Sequence, residues 1–232
     1  MRSPESFAEQ GIEVHLRHEV TAIDMTARRV TVRDLDGGRD IALDYDALVY
    51  ATGAEPRPTP MEGRDLHGVH PMHILGDALA VHALLAATPA PQSGVVVGGG
   101  YVGLEMAEVL HTRGLHTTIV ASHGGLLGDS LDPDMSAHLA EQVRALGIDV
   151  EVGQRVARLS REGGRVTAVA CGARSIPADL VILATGTVPR VELARAAGLR
   201  IGASGGVWVD DHQRTSVPGV YAAGDCAEVH SA

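Results

Sequence analysis

The chain has 232 residues, 45% of them apolar, enough for a sizeable core in one or two domains. Its net charge of −10 argues against nucleic-acid or anionic-membrane partners, whose footprint is a basic patch. Aromatic residues make up only 3%, so Val, Leu, Ala and Ile must fill the core, and all 19 basic residues are arginine.

From the amino terminus, MRSPESFAEQ carries no apolar signal-peptide core. No later apolar run approaches the roughly 20 residues that span a bilayer, so a cytoplasmic protein is expected. Residues 12–14 read as a strand, followed by a small β-meander and a buried strand that runs into Ala51-Thr52-Gly53. Proline-rich joints at 56–60 and 88–91 stand where linkers belong.

Beyond the second joint, Ser93–Val97 is an apolar run expected to form a buried parallel strand. Gly98 to Gly100 turns the chain, and Tyr101–Thr112 reads as a helix ended near Gly114. Residues 116–120 carry β-branched side chains and read as a second strand. Asp132 and Pro133 suit the N-cap and first position of a helix that runs to about Leu146. Residues 148–152 follow as a third strand, then a hairpin of 156–159 and 165–170 joined through Gly163-Gly164. A last buried strand, 180–184, leads into Thr185-Gly186. This order predicts an α/β doubly wound unit with a β-meander laid across it.

The chain also repeats itself. GIEVHLRHEVTAID…RRVTV…YATGAEPR at 11–57 matches GIDVEVGQRVARLS…GRVTAV…LATGTVPR at 147–190. Gly11 pairs with Gly147, Val20 with Val156 and Val30 with Val166, each 136 residues apart. Gly53 with Gly186 and Arg57 with Arg190 are 133 apart, so the offset changes once, inside a loop. Only the second copy is preceded by a glycine-rich loop, VVVGGGYVGLE at 95–105. The first copy repeats the meander and its flanking strands without the leading strand–helix–strand. A half-sheet of that kind exposes unpaired edges and an uncovered apolar face.

Gly98, Gly100 and Gly103 form G-x-G-x-x-G between a strand and a helix, the context in which the motif binds a dinucleotide. The first glycine permits the turn, the second admits a pyrophosphate to the backbone, and the third packs helix on strand. The helix N-terminus adds its dipole and free N–H groups. At the end of the second strand, Ala121-Ser122-His123 stands where Asp or Glu usually accepts hydrogen bonds from the ribose. Such bonds contribute roughly 1.5–3 kcal/mol each, so NAD should bind about tenfold or more weakly. The missing acid also removes repulsion of a 2′-phosphate, which tilts the expectation toward NADP or dual use. No arginine is expected nearby to bind that phosphate, since Arg113 lies back on the helix, so NAD against NADP stays open. Cys171 and Cys226 form no CxxC pair, show no metal-ligand spacing and are expected to fill core. The 12 histidines fall in no metal-binding pattern.

GGGYVGLEMAE, the two ATG strands and TSVPGVYAAGDCAE at 215–228 resemble the FAD/NAD(P)-dependent pyridine nucleotide–disulfide oxidoreductases, across essentially the whole chain. RSPESFAEQGIEV and GDCAE are most similar to coenzyme A–disulfide reductases and NADH oxidases. The resemblance implies two related doubly wound nucleotide-binding units with β-meanders, in three β/β/α layers, the FAD unit being incomplete. Residues 1–78 and 193–232 would belong to the FAD domain and 79–192 to the NAD(P) domain. It further implies that Asp225 binds the flavin ribityl chain, that Ala51, Thr52 and Gly53 line the FAD site, and that the Val20 backbone meets the adenine. Thr185 and Gly186 would be the NAD(P) equivalents, with Val102 inside the glycine motif. Tyr101 would cover the flavin until nicotinamide displaces it, and Glu105 would approach the nicotinamide amide.

The family's first βαβ, its redox cysteine and its C-terminal dimerisation domain find no match in this sequence. The expected activity is hydride transfer from NAD(P)H to FAD, then to a small disulfide or an oxygen species. Two further expectations are a non-catalytic NAD(P)-binding module and one half of a split flavoenzyme.

Overall fold

A computed structural model describes residues 3–122 and 124–229, so His123 of the Ala121-Ser122-His123 stretch lies outside the described residues. The chain forms two compact units, Met1–Glu55 with Val188–Ala232, and Pro56–Thr187. No described helix is long and apolar enough to cross a membrane.

The first unit begins with the short helix α1 (Pro4–Ala8), capped by Ser3, followed by strands β1 (His18–Asp24), β2 (Arg29–Asp34) and β3 (Asp40–Asp44), which pair antiparallel as a meander. Arg29 meets Asp44 at 2.6 Å and Arg33 meets Asp40 at 3.0 Å across neighbouring strands, a cross-strand charge match that supports the register. Strand β4 (Leu48–Tyr50) and the short β5 (Ala54–Pro56) follow.

The second unit holds β6 (Val69–Pro71), α2 (Leu75–Leu85), β7 (Ser93–Val97), α3 (Tyr101–Thr112), β8 (His116–Ala121), α4 (Pro133–Ala145), β9 (Asp149–Val152), the meander β10 (Val156–Glu162), β11 (Arg165–Cys171) and β12 (Arg174–Pro177), and β13 (Leu180–Leu183). Its five-stranded sheet has the order β6-β13-β7-β8-β9, with every neighbour parallel. Alternation along β7 divides the core in two. Val96 joins Ile119, Ile182, Ala107, Leu110 and Val143 under the helices, while Val95 and Val97 join Val120, Val181, Leu159 and Val169 under the meander. The predicted helix–sheet–meander layering is therefore present.

The chain returns to the first unit through β14 (Thr187–Pro189), α5 (Glu192–Ala196), β15 (Val207–Trp208), β16 (Val220–Ala222) and β17 (Ala227–Glu228). β16 lies parallel to β4, and β15 to β17. Tyr50, Ala194, Val207, Val220 and Cys226 are among the residues of this unit's core.

One sequence expectation changes. Residues 12–14 form no strand; Ile12 is 48% exposed. Their counterpart β9 is held by a parallel ladder to β8, and no counterpart of β8 exists among the described residues of the first unit. Residues 56–78 lie in the second compact unit, where β6 pairs with β13. Asp132 occupies the N-cap of α4 and Pro133 its first position, as expected, with no capping bond from the Asp132 side chain.

Candidate functional site

The carboxyl ends of β7 and β13 lie side by side, since Val97 pairs with Leu183, and the glycine loop begins there. Gly98 has φ +128°, and a Cβ on it would stand 2.0 Å from the carbonyl oxygen of Ala184. A Cβ on Gly103 would stand 2.1 Å from the carbonyl oxygen of Gly98. Both positions therefore admit no side chain, and they fix the first turn of α3 against the strand ends. Gly100 differs: a Cβ there would meet nothing within 4 Å. It is the N-cap of α3, with no side-chain cap bond, so the open backbone faces the positive end of the helix dipole.

The structure thus brings Gly98, Gly100 and Gly103 together with Thr185 and Gly186. The Thr185 hydroxyl is hydrogen-bonded to that of Thr59 at 2.9 Å, and Arg57 Nη2 donates to the Thr187 carbonyl at 3.2 Å. Tyr101 is 66% exposed at the start of α3, and Val102 and Glu105 are exposed too. Tyr101 and Glu105 are four residues apart and so share a helix face.

In the first unit, the carboxyl ends of the paired strands β4 and β16 carry Ala51-Thr52-Gly53 and Asp225. The Ala223 N–H donates to the Tyr50 carbonyl at 3.1 Å, which sets the Asp225 segment beside the ATG segment. Thr52 Oγ1 and the buried Tyr50 hydroxyl both donate to the Arg190 carbonyl, at 2.8 and 2.9 Å. Asp225 itself is exposed. Val20 lies apart in the meander, opposite Val32 and beside a β-bulge.

Both cysteines are buried, Cys226 with its thiol against the Tyr50 and Ala223 carbonyls. Burial pushes the Cys171 thiol above its ordinary pKa, which disfavours the thiolate a redox cysteine needs. Among the described residues, no cluster of three His, Cys, Asp or Glu side chains is placed to hold a metal. A cleft of about 450 Å³ is lined by Ser93, His116, Thr118, Asp149, Glu151 and Arg174 among others, near the amino ends of β7, β8 and β9. Ligands of open α/β sheets bind at the carboxyl ends, so the glycine loop is the stronger candidate.

Sequence reasoning missed the segment that lies beside the end of β8. Val152 pairs with Ala121, and the Gln154 N–H donates to the Ala121 carbonyl at 3.3 Å. The next residue is the exposed Arg155. The repeat held the signal, because Arg155 precedes Val156, the counterpart of Val20.

A family model described as pyridine nucleotide-disulphide oxidoreductase matches residues 3–232. Among curated proteins, the chain is 38% identical over 226 residues to an NAD(P)H sulfur oxidoreductase (CoA-dependent) of Pyrococcus abyssi, covering 97% of this chain and 49% of that protein. It is 37% identical to putidaredoxin reductase of Pseudomonas putida, covering 100% of this chain and 54% of that one. Among solved structures, an NAD-dependent persulfide reductase from A. fulgidus superposes with a TM-score of 0.92 at 32% identity, covering 97% of this chain and 42% of that one. The chain spans about half the length of the curated relatives it matches.

Proposed function

We propose a function from one premise: the chain belongs to the pyridine nucleotide-disulphide oxidoreductase family. On that footing, its second unit binds NAD(P)H and its first unit contributes one side of an FAD site. The whole is an oxidoreductase that passes reducing equivalents from NAD(P)H by way of flavin to a small acceptor, a disulfide or an oxygen species. The observation that carries this reading is Gly100, whose open backbone at an uncapped helix N-terminus, flanked by two glycines with no room for a side chain, fits a dinucleotide pyrophosphate.

When bound, the flavin supplies the redox chemistry; the protein's part is to position and to exclude water. The first N–H groups of α3 take the pyrophosphate of the nicotinamide nucleotide. Tyr101, exposed at the head of α3, would stand where the nicotinamide enters, and Glu105 on the same helix face would accept from its carboxamide. Thr185 and Gly186 close the side of the site at the end of β13. On the flavin side, Asp225 accepts from the ribityl hydroxyls, Ala51, Thr52 and Gly53 line the strand ends, and the Val20 backbone meets the adenine. We assign the flavin contribution to Met1–Glu55 with Val188–Ala232, and the NAD(P) contribution to Pro56–Thr187.

One asymmetry favours a second reading, an NAD(P)-binding module that does not turn over by itself. Ile182 in β13 is completely buried between neighbouring strands, whereas its repeat counterpart Val49 in β4 is 61% exposed. Titration of the purified chain with NADH and NADPH, followed by nicotinamide fluorescence, should show binding. Its visible spectrum should show little flavin. Failure to bind either nucleotide defeats both readings, while a stoichiometric flavin band together with NAD(P)H consumption defeats the second.

A further inference from the structure

We infer that Arg155 is the residue that recognises the 2′-phosphate of NADP, making this a site that prefers NADPH over NADH. The inference rests on the nucleotide reading of the glycine loop and names its specificity. In a doubly wound unit the adenosine ribose meets the carboxyl end of the strand that follows the glycine-loop helix; an acid there suits a free 2′-hydroxyl, and a nearby arginine suits a 2′-phosphate. That strand is β8, and it ends at Ala121, which has no carboxylate to offer. The segment leaving β9 runs beside this end: Val152 pairs with Ala121, and Gln154 donates its N–H to the Ala121 carbonyl at 3.3 Å. Arg155 is thereby carried to the ribose end of the site from 34 positions away in sequence.

Two observations strengthen the assignment. Arg155 is exposed and makes no ion pair among the described residues, whereas Arg174, nearby on the meander, is already paired with Glu151. An unpaired guanidinium is free to take a phosphate bidentately. The repeat then supplies an internal comparison. At the offset of 136 residues, Arg155 corresponds to Glu19 in the copy assigned to FAD, a cofactor without a 2′-phosphate. The charge is inverted between the copies at the residue just before Val20 and Val156.

The test compares 2′,5′-ADP with 5′-AMP, ligands that differ only in the 2′-phosphate, by calorimetric titration of the chain and of Arg155→Ala and Arg155→Glu. The native chain should bind 2′,5′-ADP about tenfold or more tightly than 5′-AMP, as a charged hydrogen-bonded contact implies. Arg155→Ala should abolish that difference and leave 5′-AMP unchanged, and Arg155→Glu should reverse it. Equal affinities in the native chain, or an Ala variant that keeps the preference or weakens both ligands alike, would overturn the role of Arg155 while leaving the nucleotide site standing. Binding of neither ligand would remove the nucleotide reading itself.

Discussion

The backbone N–H of Arg57 donates to the carbonyl of Gly186 at 2.9 Å, and the duplicated pair repeats the bond, Arg190 donating to Gly53 at 3.0 Å. Each bond lies within its own compact unit, yet each joins segments more than 120 residues apart. The first copy's Arg therefore ties to the second copy's glycine, and the reverse. The duplication is visible not only as repeated sequence but as repeated hydrogen bonding at the two points where each ATG segment ends.

Gly98 and Gly100 should separate folding from binding. Gly98→Ala places a Cβ against the Ala184 carbonyl at positive φ and should cost about 1–3 kcal/mol, read as a drop in Tm. Gly100→Ala enters open space and should leave Tm unchanged within a degree or two while weakening NADPH binding. Equal Tm losses for both would show that Gly100 is structural.

Ile182 and Val49 should respond unequally to truncation. Ile182→Ala removes buried volume from the sheet and should cost about 2–5 kcal/mol. Val49→Ala, at an exposed strand edge, should cost less than about 1 kcal/mol in denaturant titration. A Val49→Ala loss near that of Ile182→Ala would mean that the β4 edge is covered in solution.

Tyr50→Phe deletes a buried hydroxyl that donates to the Arg190 carbonyl. The variant should lose about 1 kcal/mol, since Thr52 still satisfies that carbonyl. An unchanged unfolding midpoint would show that the Tyr50 bond contributes nothing.

Asp179 should confer stability only above the carboxylate range. Partial burial works to raise its pKa, but hydrogen bonds from the Gln92 and Ser93 N–H groups and the Ser93 hydroxyl outweigh it and hold the carboxyl below its ordinary value. A depressed folded pKa gives stability that is present above the unfolded value of about 3.9 and is lost as pH falls through the folded value. Asp179→Ala should therefore be less stable than the native chain at pH 7, and the gap should close below about pH 4. A gap of constant size down to pH 3 would contradict this role.

Local chemistry made much of the second unit legible beforehand. Ser93–Val97 and Tyr101–Thr112 have the bounds their apolar run and glycine punctuation suggested, and the G-x-G-x-x-G marked the loop. Residues 12–14 misled because they carry a strand's composition without a neighbour among the described residues to complete the ladder. Asp225 and Ala51-Thr52-Gly53 are distant in sequence, and their meeting depends on β16 pairing with β4.

The sequence by itself determined the repeat, the glycine loop and the local elements, because turns, helix ends and strand alternation answer to residues a few positions apart. Tertiary structure alone decided that Val49 is exposed while Ile182 is buried, and that Val152 and Gln154 meet Ala121 at the end of β8. The physical reason is that a parallel strand is stabilised by hydrogen bonds and packing from chain far away, so which edges close and which side chains converge is settled only when the sheet assembles.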